Sequence, residues 1–254
     1  MQTVIIDIET NGIEDWNHLS DLKVIHCLVV RAGREVKVYN SQRRDVEEGL
    51  RSIQHADCID GHNILRFVIT SIQKLYKWKP TGCIRDTMLL ARLVWPDTKN
   101  DDYKRPELPR QLIGSHSLKA WGYRLGEYKG EFGATTDWAE WSQEMEDYCV
   151  QDTQVTQRLF QELLRAKPSS DSVVLEHDFA EVINQQEKNG WRFDTDKAKE
   201  LHAMLLDKKL ELERTLQDIF PAAEVPMKTP QYYLAGGQQY ATKGAAKKDK
   251  HKAA

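Results

Sequence analysis

The chain has 254 residues, of which 40% are hydrophobic and 30% charged, and its formal net charge is −3. That length buries a sizeable core and suits one large domain plus an appendage. No apolar run approaches the roughly 18 residues that span a membrane. A near-neutral charge is weak evidence against a protein that coats duplex nucleic acid, and none against one that holds a strand end in a cleft.

The first predicted element is a strand over 3–9, "TVIIDIE". Val4, Ile5, Ile6 and Ile8 mark it as buried, yet Asp7 and Glu9 interrupt it two residues apart. Strand side chains alternate faces, so both carboxylates point the same way, about 7 Å apart along the strand. Two such charges lose hydration and repel unless something compensates them. The N-terminus enters this strand without the basic segment and cleavage site of a signal peptide, and a cytoplasmic location is expected.

Strands follow at 23–30 and 35–40, and their short joins predict an antiparallel meander. A polar, helix-permissive stretch over 43–54 leads to a short strand, "DCID", at 57–60. Helices are predicted at 69–77 and at 86–95, the second capped by Asp86 or Thr87. Pro96, Pro106 and Pro109 make 96–113 a loop. A helix near 117–125 and a long one over about 138–165 complete the first domain. Three antiparallel strands followed by alternating helix and strand predict a mixed sheet with helices on its faces.

Beyond residue 167, Pro168-Ser169-Ser170-Asp171 reads as a linker, and 172–189 and 195–219 as helices with Asn189-Gly190 as the turn. The expected domains are therefore 1–167, a linker over 168–171, a helical segment over 172–220 and an irregular tail over 221–254. The tail end, "TKGAAKKDKHKAA", carries five lysines against one aspartate and reads as a solvated, disordered end. Cys27, Cys58, Cys83 and Cys149 show no CxxC pair and are expected to be reduced thiols.

In the long helix Trp141, Met145, Tyr148, Val155, Leu159 and Leu163 form one stripe, and Asp152 falls inside it. A single buried acid is as readily a cap or a salt-bridge partner. Three acids on elements that pack on one sheet point to hard divalent cations, which take oxygen ligands. Tyr148, one turn from Asp152, would bring a hydroxyl to the same pocket.

These residues resemble a family. "DIET", "GHNILRF" and "YCVQD" look like the three motifs of 3′→5′ exonucleases of the DEDDy type. The block "GSHSLKAWGYRLGEYKGEF" at 114–132 is similar to the proofreading domain of family A DNA polymerases from short-tailed bacteriophages, and "NQQEKNGWRFDTDKAKEL" to the segment that joins it to the polymerase. The resemblance spans about residues 1–240. It implies a ribonuclease-H-like fold, a mixed five-stranded sheet flanked by helices with a C-terminal helical appendage. It further implies two Mg²⁺ or Mn²⁺ ions, with Asp7 bridging and Glu9 and Asp152 completing the first site. Tyr148 would orient the attacking water, and two ions about 4 Å apart would stabilise the attacking and leaving oxygens of a phosphodiester. Thr10, His62 and Asn63 are implied contacts to the terminal nucleotide of a single-stranded or frayed DNA 3′ end. For His62 and Asn63, a loop fixed by side-chain hydrogen bonds fits the same residues.

One position departs from the pattern. The family's second motif ends in an aromatic followed by Asp, but here Phe67 is followed by Val68. Valine cannot ligate a cation, so Val68 is expected at the edge of the acidic pocket, in place of a ligand for the second metal, with impaired chemistry. Asp60 is the nearest upstream acid. No downstream motif carries the paired aspartates of nucleotide addition, so a separate polymerase chain is an implied partner. The reading from another class is a catalytically inactive strand-binding or polymerase subunit.

Overall fold

A computed structural model of the chain describes residues 2–14, 18–40, 45–127, 137–221, 233–235 and 238–240. It divides into two compact units, Met1–Gly190 and Trp191–Ala254. The first is built on a five-stranded mixed sheet in the order β3-β2-β1-β4-β5. Strand β1 (Thr3–Thr10) pairs antiparallel with β2 (Ile25–Ala32), which pairs antiparallel with β3 (Glu35–Asn40). On the other side β1 runs parallel to β4 (Cys58–Gly61), and β4 to β5 (Cys83–Asp86).

Alternation along β1 sorts its side chains between two layers. Val4, Ile6 and Ile8 enter the main apolar core with Leu28 and Val30 of β2. That core is closed by α1 (Val46–Ser52), a π-helical turn (Ile64–Val68) and α2 (Ile69–Tyr76), through Leu50, Ile64, Val68 and Ile72. Each such side chain taken from water contributes roughly 1.5–3 kcal/mol. The opposite face of β1 carries Asp7 and Glu9, which lie opposite Val29 and Cys27 of β2. Helix α6 lies against this face, after α3 (Thr87–Val94), α4 (Lys99–Asp102) and α5 (Leu118–Leu125) in the chain. It spans Gln143–Ala166 and starts where Ser142 accepts the Met145 N–H at 3.1 Å. Its buried stripe, Met145, Cys149, Asp152, Val155, Leu159 and Leu163, follows helical spacing.

The fifth strand carries little sequence signal. Residues 83–86 read "CIRD", and the strand sits at the sheet edge, where charge is tolerated. Arg85 there makes a two-pronged pair with the fully buried Asp60 of β4, Nε to Oδ1 at 2.6 Å and Nη2 to Oδ2 at 2.9 Å. Cys58 and Cys83 are register partners on β4 and β5, with Cα atoms 4.6 Å apart, and are joined as a disulfide. The expectation of four free thiols is corrected for this pair; Cys27 and Cys149 are free and buried.

The boundary also differs from the expected linker. Lys167 ends α6 in the left-handed region and α7 (Ser170–Asn189) begins three residues later. Helix α7 is held to the first unit by His177, whose Nε2 accepts the Asp86 N–H at 2.9 Å. Its Nδ1 hydrogen bonds the Val173 carbonyl at 2.7 Å. The Arg66–Glu187 pair at 3.0 Å and packing of Val173 beside the Leu90 cluster add to this. The division therefore falls after Gly190, whose positive φ of 64° closes α7 at the Asn189-Gly190 turn.

In the second unit α8 (Thr195–Ile219) begins at Asp194, which accepts the Lys197 N–H, and Leu201, Leu205, Leu212 and Leu216 are exposed along it. The expected irregular tail holds one short antiparallel pair, β6 (Tyr233–Ala235) and β7 (Gln238–Tyr240); residues 222–232, 236–237 and 241–254 lie outside the described residues. Among the described residues no helix is long and apolar enough to cross a membrane.

Candidate active site

The site grows from the end of β1. The pairing with β2 shifts register between Glu9 and Thr10, a bulge of the kind that re-aims side chains beside functional sites. Asp7 and Glu9 are half-buried and stand on the sheet face covered by α6. Asp7 Oδ1 accepts the Ile8 N–H at 2.9 Å. Cys149 of α6 meets the two acids: donor atoms of Asp7, Glu9 and Cys149 all lie within 4.8 Å of one another. Tyr148, half-buried, precedes Cys149, and Asp152, buried, follows it by three residues on the same helix. The group meeting within 4.8 Å thus contains the two expected strand acids and the Cys149 thiol; Asp152, expected to share their ion, is not part of it.

Electrostatics agrees with this proximity. The Cys149 thiol is pushed well above its usual range, first by full burial, then by its contact with Cys27, then by the charges of Asp7 and Glu9. Cys27 sits opposite Glu9 on β2, and Cys27, Val29 and Cys149 form a small core of their own. A neutral thiol leaves oxygen as the donor for a hard ion. Asp7 and Glu9, converging from one strand face, fit a single Mg²⁺ or Mn²⁺.

The second motif is engaged differently from the expectation. Asn63 adopts the left-handed conformation (φ 53°, ψ 33°), which Asn tolerates, and opens the π-helical turn. Its N–H donates to Asp86 Oδ1 at 3.0 Å. His62 spends both ring nitrogens on the fold, Nδ1 with Thr87 Oγ1 and Nε2 with the His116 carbonyl, each at 2.9 Å. Thr10 Oγ1 donates to the Asn11 carbonyl at 3.0 Å. The structural alternative thus describes His62, and Thr10 is bonded locally. Asp86, buried at the end of β5, ties the motif together by accepting N–H groups of Asn63, Leu65, Met88 and Leu89. Burial raises its carboxyl, and these four donors oppose the rise.

Val68 is not at a pocket edge. It is fully buried in the apolar cluster that contains Val4, Ile6 and Ile8, the set of β1 residues that alternates with Asp7 and Glu9. The π-helical winding of Ile64–Val68 carries this side chain into the core. Asp60 does not replace the missing acid, because Arg85 claims both its oxygens, offsetting the upward push of burial on its carboxyl.

Cys149 carried a sequence signal, whereas the buried Glu146 carried none. The interval from Met145 to Cys149 to Asp152, four and then three, puts Cys149 on the buried stripe as firmly as its neighbours. Glu146, also buried, hydrogen bonds the side chain of Asn40 at the end of β3; a strand-terminal Asn facing a helix acid has no periodic signature.

No protein-family model matches the chain. In sequence it is 29% identical to the DNA-directed DNA polymerase of Enterobacteria phage T3, over an alignment of 266 positions that covers 85% of this chain and 37% of the relative. The DNA-directed DNA polymerase of Escherichia phage T7 matches with the same identity and coverage. The chain thus spans little more than a third of the length of these curated relatives. In structure, Escherichia coli RNase D, an exoribonuclease involved in structured RNA processing, superposes with a TM-score of 0.53 at 12% identity, covering 74% of this chain and 45% of that one. The chain is therefore similar in sequence to the phage T3 and T7 DNA polymerases, and its mixed sheet with flanking helices has a ribonuclease-H-like fold, which it shares with Escherichia coli RNase D.

Proposed function

We propose that the chain carries a divalent-metal-dependent 3′→5′ exonuclease domain of proofreading type, acting on single-stranded or frayed DNA ends. One observation carries the reading: Asp7 and Glu9 converge, within 4.8 Å, under the helix that bears Tyr148, Cys149 and Asp152. In this reading Asp7, Glu9 and Asp152 hold one Mg²⁺ or Mn²⁺. When bound, the ion lowers the pKa of water and neutralises charge developing on the phosphodiester. The chain's own residues orient the partners: the Tyr148 hydroxyl positions the water nucleophile, and Asn63 contacts the terminal nucleotide.

The second-motif change lowers the expected rate. With Val68 in the core and Asp60 committed to Arg85, the second ion lacks the carboxylate that this segment would supply. Loss of one strong electrostatic stabiliser costs on the order of 10²- to 10³-fold. Burial of Val68 also favours the second reading, a strand-binding subunit that keeps the fold without the chemistry, working beside a separate polymerase chain. Degradation of a 5′-labelled oligonucleotide in Mn²⁺ separates the two. The exonuclease reading predicts a ladder of 3′-shortened products that disappears in Glu9→Gln. Binding of the oligonucleotide without shortening supports the subunit reading and rejects the first.

A further inference from the structure

We propose that Asp7, Glu9 and Cys149 also form a site for a thiophilic divalent cation of the zinc class, with Cys149 Sγ as the sulfur ligand and the two carboxylates as oxygen ligands. The donor set is mixed, and it is assembled from two elements distant in sequence, β1 and α6, with atoms all within 4.8 Å of one another. Zinc and cadmium take thiolate together with carboxylate, whereas Mg²⁺ avoids sulfur. The same pocket therefore discriminates between ions by whether Cys149 joins the ligand set.

A second thiol strengthens the assignment. Cys27 lies opposite Glu9 on β2 and packs with Cys149 and Val29 in one small core, so the sulfur is held beside the carboxylates. The half-buried acids give the ion its approach to a sulfur that is itself inaccessible. On binding, the sulfur–hydrogen bond breaks heterolytically, the electron pair stays on sulfur to form the sulfur–metal bond, and the proton leaves to solvent. No oxidant or reductant takes part. An ion held this way occupies Asp7 and Glu9 and excludes the hard ion, which makes zinc an inhibitor of any Mg²⁺-dependent activity at this site.

The inference shares Asp7 and Glu9 with the proposed exonuclease reading, and the test separates them. Cd²⁺ is titrated into the full chain while the ultraviolet thiolate-to-cadmium charge-transfer band is followed, and Mn²⁺ binding is measured in parallel. The expected result is one equivalent of Cd²⁺ with a strong band. Cys149→Ser and Cys149→Ala lose the band and at least about tenfold in Cd²⁺ affinity, while Mn²⁺ affinity is unchanged. Far-ultraviolet circular dichroism of both variants confirms folding, and the milder serine exchange stands if alanine perturbs packing. A band that persists without Cys149, or no band in the natural protein, overturns the proposal. Cd²⁺ binding without Mn²⁺ binding upholds this site and rejects the hard-metal reading.

Discussion

At position 68 an apolar side chain lies fully buried in the cluster that includes Val4, Ile6, Ile64 and Ile72, so a carboxylate introduced there meets no solvent. An uncompensated buried charge costs about 3–5 kcal/mol, and for a unit of this size Val68→Asp is expected to lower Tm by about 10 °C in calorimetry. A variant that keeps its Tm and gains roughly 10²-fold in Mn²⁺-dependent cleavage would show that the turn can re-aim this side chain towards the acids. The Asp102–Arg124 pair tests burial in the opposite sense. Both side chains are almost wholly buried, with Arg124 Nη2 2.7 Å from Asp102 Oδ2. Burial alone would raise the Asp102 carboxyl, but hydrogen bonds from Arg124 and the Gly114 N–H, with the charge of Arg124, hold it below its usual 3.8. A depressed folded value means stability that is fully present above about pH 4 and is lost as pH falls through the depressed value. Asp102→Asn is therefore expected to cost about 3–5 kcal/mol at neutral pH by stranding Arg124. Its acid denaturation profile should be flatter than that of the natural protein; an identical slope would show that Asp102 is not a source of acid sensitivity.

Elements were legible where a periodic pattern met a cap. Strand β1 announced itself through Val4, Ile6 and Ile8, and α6 through Met145, Val155, Leu159 and Leu163, and those two elements position the acids. The turn at Asn189-Gly190 was equally legible, because Gly190 takes a positive φ. What escaped was set by tertiary pairing. Strand β5 is four residues whose Arg85 is explained by Asp60 on the neighbouring strand and by the Phe160 ring, 4.5 Å from its Cζ. The π-helical turn follows from Asn63 and Asp86, which are 23 residues apart and linked through a backbone N–H. Helix α7 looked like the start of a separate segment because its contact, His177 to the Asp86 N–H, has no local signature. The docking predicts where proteases act. Trp191 and Phe193 are 83% and 73% exposed just past Gly190, so chymotrypsin should cut there, and trypsin at Arg192 before it cleaves at Arg165 or Lys167. Mass spectrometry showing a first product that ends at Lys167 would mean that α7 is not held to the first unit.

For the first unit, the order β3-β2-β1-β4-β5 puts Asp7 and Glu9 on the central strand, with α6 packed against it. Three short motifs in order led to the fold, and the mixed five-stranded sheet bears that fold out. The sequence could not show that Cys149 would meet Asp7 and Glu9, or that Val68 would turn away from them, since both depend on how α6 and the π-helical turn are rotated. The chain spans 37% of its polymerase relatives, so its activity has to be read from this site. The most direct test is the binding of Mn²⁺ followed by electron paramagnetic resonance in the natural protein and in Asp7→Asn. One tightly bound ion is predicted in the natural protein, with affinity reduced at least about tenfold in Asp7→Asn. Equal Mn²⁺ affinity in the two proteins, or no bound ion in either, would contradict a metal site at Asp7 and Glu9.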